Sequence, residues 1–363
     1  MNNTQKSEII VDDSGIIEFI NLFSVRDGDL REKIEKLFNT SSYQRLVELG
    51  GPNIGIYKKD LWIETFKNTI ENSENIVDNI FMRNITKTIR YAFDNLDKIE
   101  KLNNYLKNII NTKDFLKIAK QFVPKEIEID KIRINMVIFM PNAFGINDDM
   151  IVDLFLLGNA NKDYINGILA HELHHMLRSK VAIEFLVEEK YSDIAQALYW
   201  LESEGIADLC NFEATKNLYE EYGYAEKGKM EYILNNINEY LKKFNNLMFS
   251  KSMNNSKDEE LIDFLSSNSA FHPIGYYMAN KINQILGTEI LIQCVGNPVK
   301  FITTYQQAAE LDGDNSFILD IELIENLSFK FYFTDDLDLV PKNFPKQVIK
   351  LNFEAILPWL LEE

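Results

Sequence analysis

The sequence is short of cysteine: Cys210 and Cys294 are the only two. They can form one disulfide at most and no four-thiolate zinc site, so a reducing compartment is the natural expectation. Basic residues are also scarce, 38 Lys and Arg against 56 Asp and Glu, for a formal net charge of -18. Such a chain repels phosphate backbones and anionic lipid, which argues against general binding to nucleic acid or to a membrane surface. No uninterrupted apolar run approaches about 18 residues, so no membrane span is expected. The opening stretch MNNTQKSEII lacks a basic segment followed by an apolar one. No secretory signal is expected there, and the location expected is cytoplasmic. Histidine is the last scarcity, with four in the chain. Three of them, His171, His174 and His175, fall within five residues.

What is present is an ordinary globular mixture, 46% hydrophobic and 26% charged over 363 residues. That is enough to bury a core without a disulfide or a metal. Residues 15–125 read mainly as helices; Leu96, Ile99, Leu102, Leu106 and Ile109 recur on one helical face. The period then shortens. Ile132, Ile134, Met136, Ile138 and Met140 alternate as in a strand, and the run Ile151–Leu157 predicts another. Pro141-Asn142, Gly145 and Asn147 mark a loop between them. Asn161 is placed to cap a helix reaching about Arg178, and a second helix is expected from Ser192 to about Phe212. Residues 224–250 and 273–286 read as helical, Met253–Lys257 as a loop, and Phe329, Phe331 and Phe333 as a late strand. The class expected is α+β, mostly helical, with a small sheet. Three regions follow: a helical N-terminal region (1–125), a core of strands and two central helices (126–215), and a mainly helical C-terminal lobe (216–363).

The chemistry is concentrated in His171-Glu172-Leu173-His174-His175, an H-E-x-x-H pattern. Residues four apart on a helix are turned by only about 40°, so His171 and His175 can present nitrogens to one tetrahedral ion. Glu172, next along the turn, can take a proton from a water that zinc has acidified. Ile168 and Tyr164 continue the histidine face toward the helix start, which predicts that the face is buried. A His171–His174 pair is also geometrically possible. The 171/175 pairing is preferred because only it leaves Glu172 in the base position; His174 is then expected to sit partly exposed beside the site.

Two histidines are too few for a zinc site. The best source of a carboxylate is Trp200–Asp208, where Glu204 and Asp208 are four apart on a face continued by Leu201 and Ala197. Gly205 costs about 1 kcal/mol in a helix relative to Ala; it is expected to admit the helix carrying His171 and His175. Glu202, two positions from Glu204, is expected to be a solvated acid. Glu184, Glu188 and Glu189 lie in a charged stretch without an inward face.

The H-E-x-x-H pattern followed downstream by Glu204-Gly-Ile-Ala-Asp208 resembles the gluzincin group of zinc metallopeptidases, and the segment from Ile151 to Arg178 is similar to bacterial zinc-dependent proteases of that group. The likeness covers about residues 130–212, and more weakly 270–285. It implies a gluzincin-like fold with a small sheet packed on the metal helix. It implies Zn2+ held by His171, His175 and Glu204, with Glu172 as general base and Asp208 bonded to the ring of His171. Gluzincins commonly place a His or Tyr opposite the ligands to stabilise the oxyanion; here the candidates are His272 and Tyr276, four apart near Pro273. His272 is expected to cap the helix that Pro273 begins. Gluzincins also pair the substrate backbone with an edge strand, for which Ile151–Leu157 is the candidate.

The function expected is hydrolysis of peptide bonds in a peptide or protein substrate. Two other readings remain open: a non-catalytic zinc-binding protein-interaction module, and a zinc hydrolase of a non-peptide substrate. The presence of Glu172 disfavours the first of these, because a purely structural site has no use for a carboxylate there.

Overall fold

The computed structural model describes residues 8–24, 29–50, 59–71, 80–158, 160–183, 185–188, 191–254, 260–313, 332–333 and 348–350. Among these, helices dominate and two small sheets are present. Among the described residues, no helix is long and apolar enough to cross a membrane. The chain divides into two compact units. Among the described residues, the first takes those up to Ile118 together with Glu128–Met176; the second takes Ala119–Ile127 and those from Leu177 on. The division falls inside one unbroken helix, Lys162–Ser179.

The first unit is built on a four-stranded sheet: β1 (Glu8–Asp12), β2 (Lys131–Val137), β3 (Ala143–Ile146) and β4 (Asp149–Asp153). The spatial order is β1-β2-β4-β3. β1 and β4 run parallel to β2, and β3 returns antiparallel to β4. A parallel pair needs a long crossover; the N-terminal helices, from Ser14–Ser24 to Leu96–Thr112, lie within the one joining β1 to β2. β2 and β4 are buried along most of their length, as expected of parallel strands covered on both faces. On the Leu96–Thr112 helix, Ile99, Leu106 and Ile109 are buried, the face expected from their spacing. Phe38 packs edge-on against Tyr43 and Phe66, centroids 5.0 and 5.1 Å away. Such pairs contribute about 0.5–1.5 kcal/mol each beyond their buried area. The Tyr43 hydroxyl donates to Ile138 O at 2.7 Å and so ties this cluster to the end of β2.

Several expectations change. The Ile151–Leu157 run is not one strand: β4 stops at Asp153 and a short helix, Leu154–Gly158, follows. The cause is Asp153 itself. Its Oδ1 accepts the Phe155 and Leu156 amides at 2.8 and 3.0 Å, an N-cap, while Oδ2 accepts Phe139 N at 2.8 Å. Nor is β4 an edge, since it lies between β2 and β3; the edge beside it is β3. β1 has no counterpart in the sequence reading.

The second unit is mainly helical. Ser192–Ala207 is followed by a 3-10 turn, Asp208–Cys210, and by the helix Phe212–Glu221, whose N-cap Asn211 accepts Ala214 N at 3.1 Å. The helical stretch expected over 224–250 holds two helices, Lys229–Asn235 and Ile237–Asn254, divided at Asn236. The latter extends to Asn254, so Met253 is helical, whereas residues 255–257 of the expected loop lie outside the described residues. Further on come Phe271–Ile285 and Pro298–Leu311. A second sheet pairs β5 (Phe185–Glu188) with β6 (Tyr332–Phe333) and β7 (Val348–Lys350), both antiparallel. Phe333 is thus in a strand; Phe329 and Phe331 lie outside the described residues. Cys210 and Cys294 are free thiols.

Candidate metal centre

The helix Lys162–Ser179 starts as its sequence dictates: Asn161 Oδ1 accepts the amides of Asp163 and Tyr164, each at 3.0 Å. Its middle is buried continuously from Ile165 to His171. His171 is 8% exposed and His175 half-buried. Their Nε2 atoms are 3.0 Å apart. Two ligands at 2.0–2.1 Å from a tetrahedral zinc lie roughly 3.3 Å apart, so the imidazoles are spaced much as one ion would require. Glu172 is half-buried beside them. His174 is fully buried, not partly exposed as expected, because this part of the helix is covered on more than its histidine face. The helix also lies very close to β3. A Cβ at Gly145 would fall 2.6 Å from Met176 Cγ and 3.0 Å from the backbone oxygen of Glu172. A bare Cα is what lets the edge strand approach Glu172.

In the second unit, Glu204 and Asp208 are buried, as their shared face implies. The role of Gly205 differs from the expected one. A Cβ there would fall 2.7 Å from Gly275 Cα, and one at Gly275 would fall 2.6 Å from Leu201 O. Two glycines therefore let the backbones of Ser192–Ala207 and Phe271–Ile285 touch, and the partner of Gly205 is the helix of His272. That crossing puts His272 Nδ1 2.8 Å from Asp208 Oδ2 and 3.9 Å from Glu204 Oε2. The pairing displayed for Asp208 is thus with His272.

The helix begins at Phe271, so His272 is inside its first turn and is not its cap; Pro273, lacking an amide hydrogen, loses nothing there. His272 anchors Asp208 through its Nδ1. Tyr276 stacks on Phe212 with centroids 4.3 Å apart. Burial, with Asp208 and Glu213 nearby, raises its hydroxyl pKa above the ordinary range.

Glu202 overturns its expectation outright. It is fully buried and grips Arg178, from the last turn of Lys162–Ser179. Arg178 Nε donates to both carboxylate oxygens, at 3.1 and 2.8 Å, and the guanidinium makes a further short bond to Oε2. Gly296 N donates to Oε1 at 2.8 Å. Burial works against the Arg178 charge, but Glu202 outweighs it and the pKa rises.

One donor atom each from His171, His175 and Glu204 lie within 4.8 Å of one another, a group that can hold a metal ion. Two imidazole nitrogens and a carboxylate oxygen suit zinc. A family model described as "Putative zinc dependent peptidase (DUF5700)" matches residues 34–314. The chain belongs to that family. The match spans both the histidine cluster and His272, so the residues grouped by geometry all lie inside it. No curated protein and no solved structure matches the chain.

Proposed function

We propose that this chain is a zinc-dependent peptidase of gluzincin type, with His171, His175 and Glu204 as the zinc ligands. The grouping of those three donors carries the reading, and membership of a family described as zinc dependent supports it. Zinc bound there would polarise the scissile carbonyl and lower the pKa of water. Glu172 accepts the proton of the attacking water and passes it to the leaving amine. Asp208, held by His272 at 2.8 Å, braces the ligand side of its helix. The Tyr276 hydroxyl, a neutral phenol at physiological pH, is the donor we assign to the developing oxyanion. A peptide or protein substrate would add its backbone to β3, the sheet edge packed closest to Glu172.

The test is metal analysis of protein made with added zinc, followed by digestion of a peptide library. Glu172→Gln should keep the zinc and lose about 10²–10⁴ of the rate. A protein without zinc, or a Glu172→Gln variant of full activity, would overturn the reading.

A further inference from the structure

The Arg178–Glu202 pair has no part in the reaction above, yet it is among the most completely buried charged groups in the molecule. Glu202 is 0% exposed and Arg178 5%. The carboxylate receives the guanidinium fork on one side and the Gly296 amide, at 2.8 Å, on the other. The guanidinium carbon lies 4.6 Å from the centre of the Tyr199 ring, which covers its face. Gly296 is fixed in turn. Its φ is +77°, and a Cβ there would fall 2.7 Å from Ala182 Cα. Its carbonyl accepts Ile183 N at 3.0 Å. One carboxylate on the Ser192–Ala207 helix thus holds both the last turn of Lys162–Ser179 and the turn that packs on the residues following it.

The positions of the two ends matter. Arg178 is three residues past His175, within one helical turn. Glu202 is two residues before Glu204, about 200° away around the helix, so it clamps the face opposite the ligand. A helix clamped there cannot roll. With a carboxylate roughly 6 Å from the helix axis, a roll of about 10° would carry it about 1 Å, well beyond the ±0.2 Å within which metal–ligand distances are held. Stability alone does not account for the pair, because buried ion pairs are often replaced by uncharged residues at no cost.

We infer that Arg178 and Glu202 are positioning residues that set the angle at which Glu204 is presented to the metal shared with His171 and His175. The inference rests on the zinc-ligand reading of those three residues.

The experiment compares full-length wild type with Arg178→Met/Glu202→Gln and with Arg178→Lys. The double variant removes both charges and keeps an acceptor for the Gly296 amide. The lysine variant keeps the charge and loses the fork. Urea unfolding, zinc affinity by competition with a chromophoric chelator, and the visible spectrum of the cobalt(II)-loaded protein are measured for each. The double variant should unfold at the wild-type midpoint or above, bind zinc about 10–100-fold more weakly, and show an altered cobalt spectrum. Arg178→Lys should shift affinity the same way by less; should the double variant fail to fold, this variant decides. Wild-type affinity and spectrum in the folded variants would reduce the pair to packing and overturn the inference. His171→Ala separates the two ideas: if it binds zinc as well as wild type does, the ligand reading fails and this inference falls with it.

Discussion

Replacing Gly205 with alanine tests the helix crossing on which the buried acids depend. Alone in a helix, the change favours folding by about 1 kcal/mol, since glycine gives up more backbone freedom. Here the new methyl would meet the backbone of Gly275, 2.7 Å from its Cα. The carbonyl carbon and oxygen of Gly275 lie nearer still, and ordinary carbon contacts begin near 3.4 Å, so the two helices must part by roughly 1 Å or more. Overpacking of this kind costs about 1–3 kcal/mol. Parting also stretches the 2.8 Å bond between Asp208 and His272. That bond is fully buried, and a hydrogen bond to a charged group contributes about 1.5–3 kcal/mol. Set against the propensity gain, the net loss should be about 2–4 kcal/mol. Urea unfolding of metal-free protein measures it directly, and the zinc content of the same variant made with added zinc should fall with it. A Gly205→Ala protein as stable as wild type would refute the glycine-to-glycine crossing.

Three further outcomes are expected. Asp208→Asn keeps the shape but loses the charge that fixes the His272 tautomer; zinc affinity should weaken by about 10–100-fold in chelator competition, and unchanged affinity would detach the couple from the metal centre. Burial pushes the Asp153 carboxyl up from 3.8 to about 7. The folded chain then holds a proton that the unfolded chain releases, so this contribution is full below pH 3.8 and is lost as pH rises to about 7. Asp153→Asn should show a shallower decline of unfolding free energy across that window, and identical slopes would rule the effect out. Gly145→Ala, whose Cβ would fall 3.0 Å from Glu172 O and closer to Met176, should lose about 1–3 kcal/mol in a denaturant titration; no loss would mean that β3 and the histidine helix are not in tight contact.

The parts legible in the sequence are those governed by local rules. Asn161 caps the histidine helix because its side chain reaches amides two and three residues on. The Leu96–Thr112 face follows from its period. The histidine cluster stands out because histidine is so rare in this chain. The features that local rules do not reach depend on partners distant in sequence. Nothing near Gly205 says that its neighbour is Gly275, seventy residues on. The end of β4 was readable after all: Asp153 interrupts an apolar run, and an acid before Leu154–Gly158 is a capping signal. β1 is a short strand whose pairing with β2 spans more than a hundred residues of chain.

Glu202 departs from its expected place for a different reason. A solvated acid two positions from Glu204 would require the Ser192–Ala207 helix to have a single inward face. The helix has no outward face over this stretch: from Ile194 to Ala207 every residue except Gln196 is buried. The sequence carries that signal, because Ile194, Ala195, Ala197, Leu198, Leu201, Ile206 and Ala207 lie all round the helical circumference, and a helix apolar all round is a buried one. In such a helix every acid needs a cation or a set of donors, whichever way it points. Glu202 has Arg178 and the Gly296 amide, and Asp208 has His272. Glu204 stands with His171 and His175. Three carboxylates within seven residues, buried in a low-dielectric interior, repel one another unless each is matched locally. A divalent cation shared with His171 and His175 would offset the charge of the third, Glu204. On that argument the ion pair, the Asp–His couple and the metal site are one electrostatic arrangement.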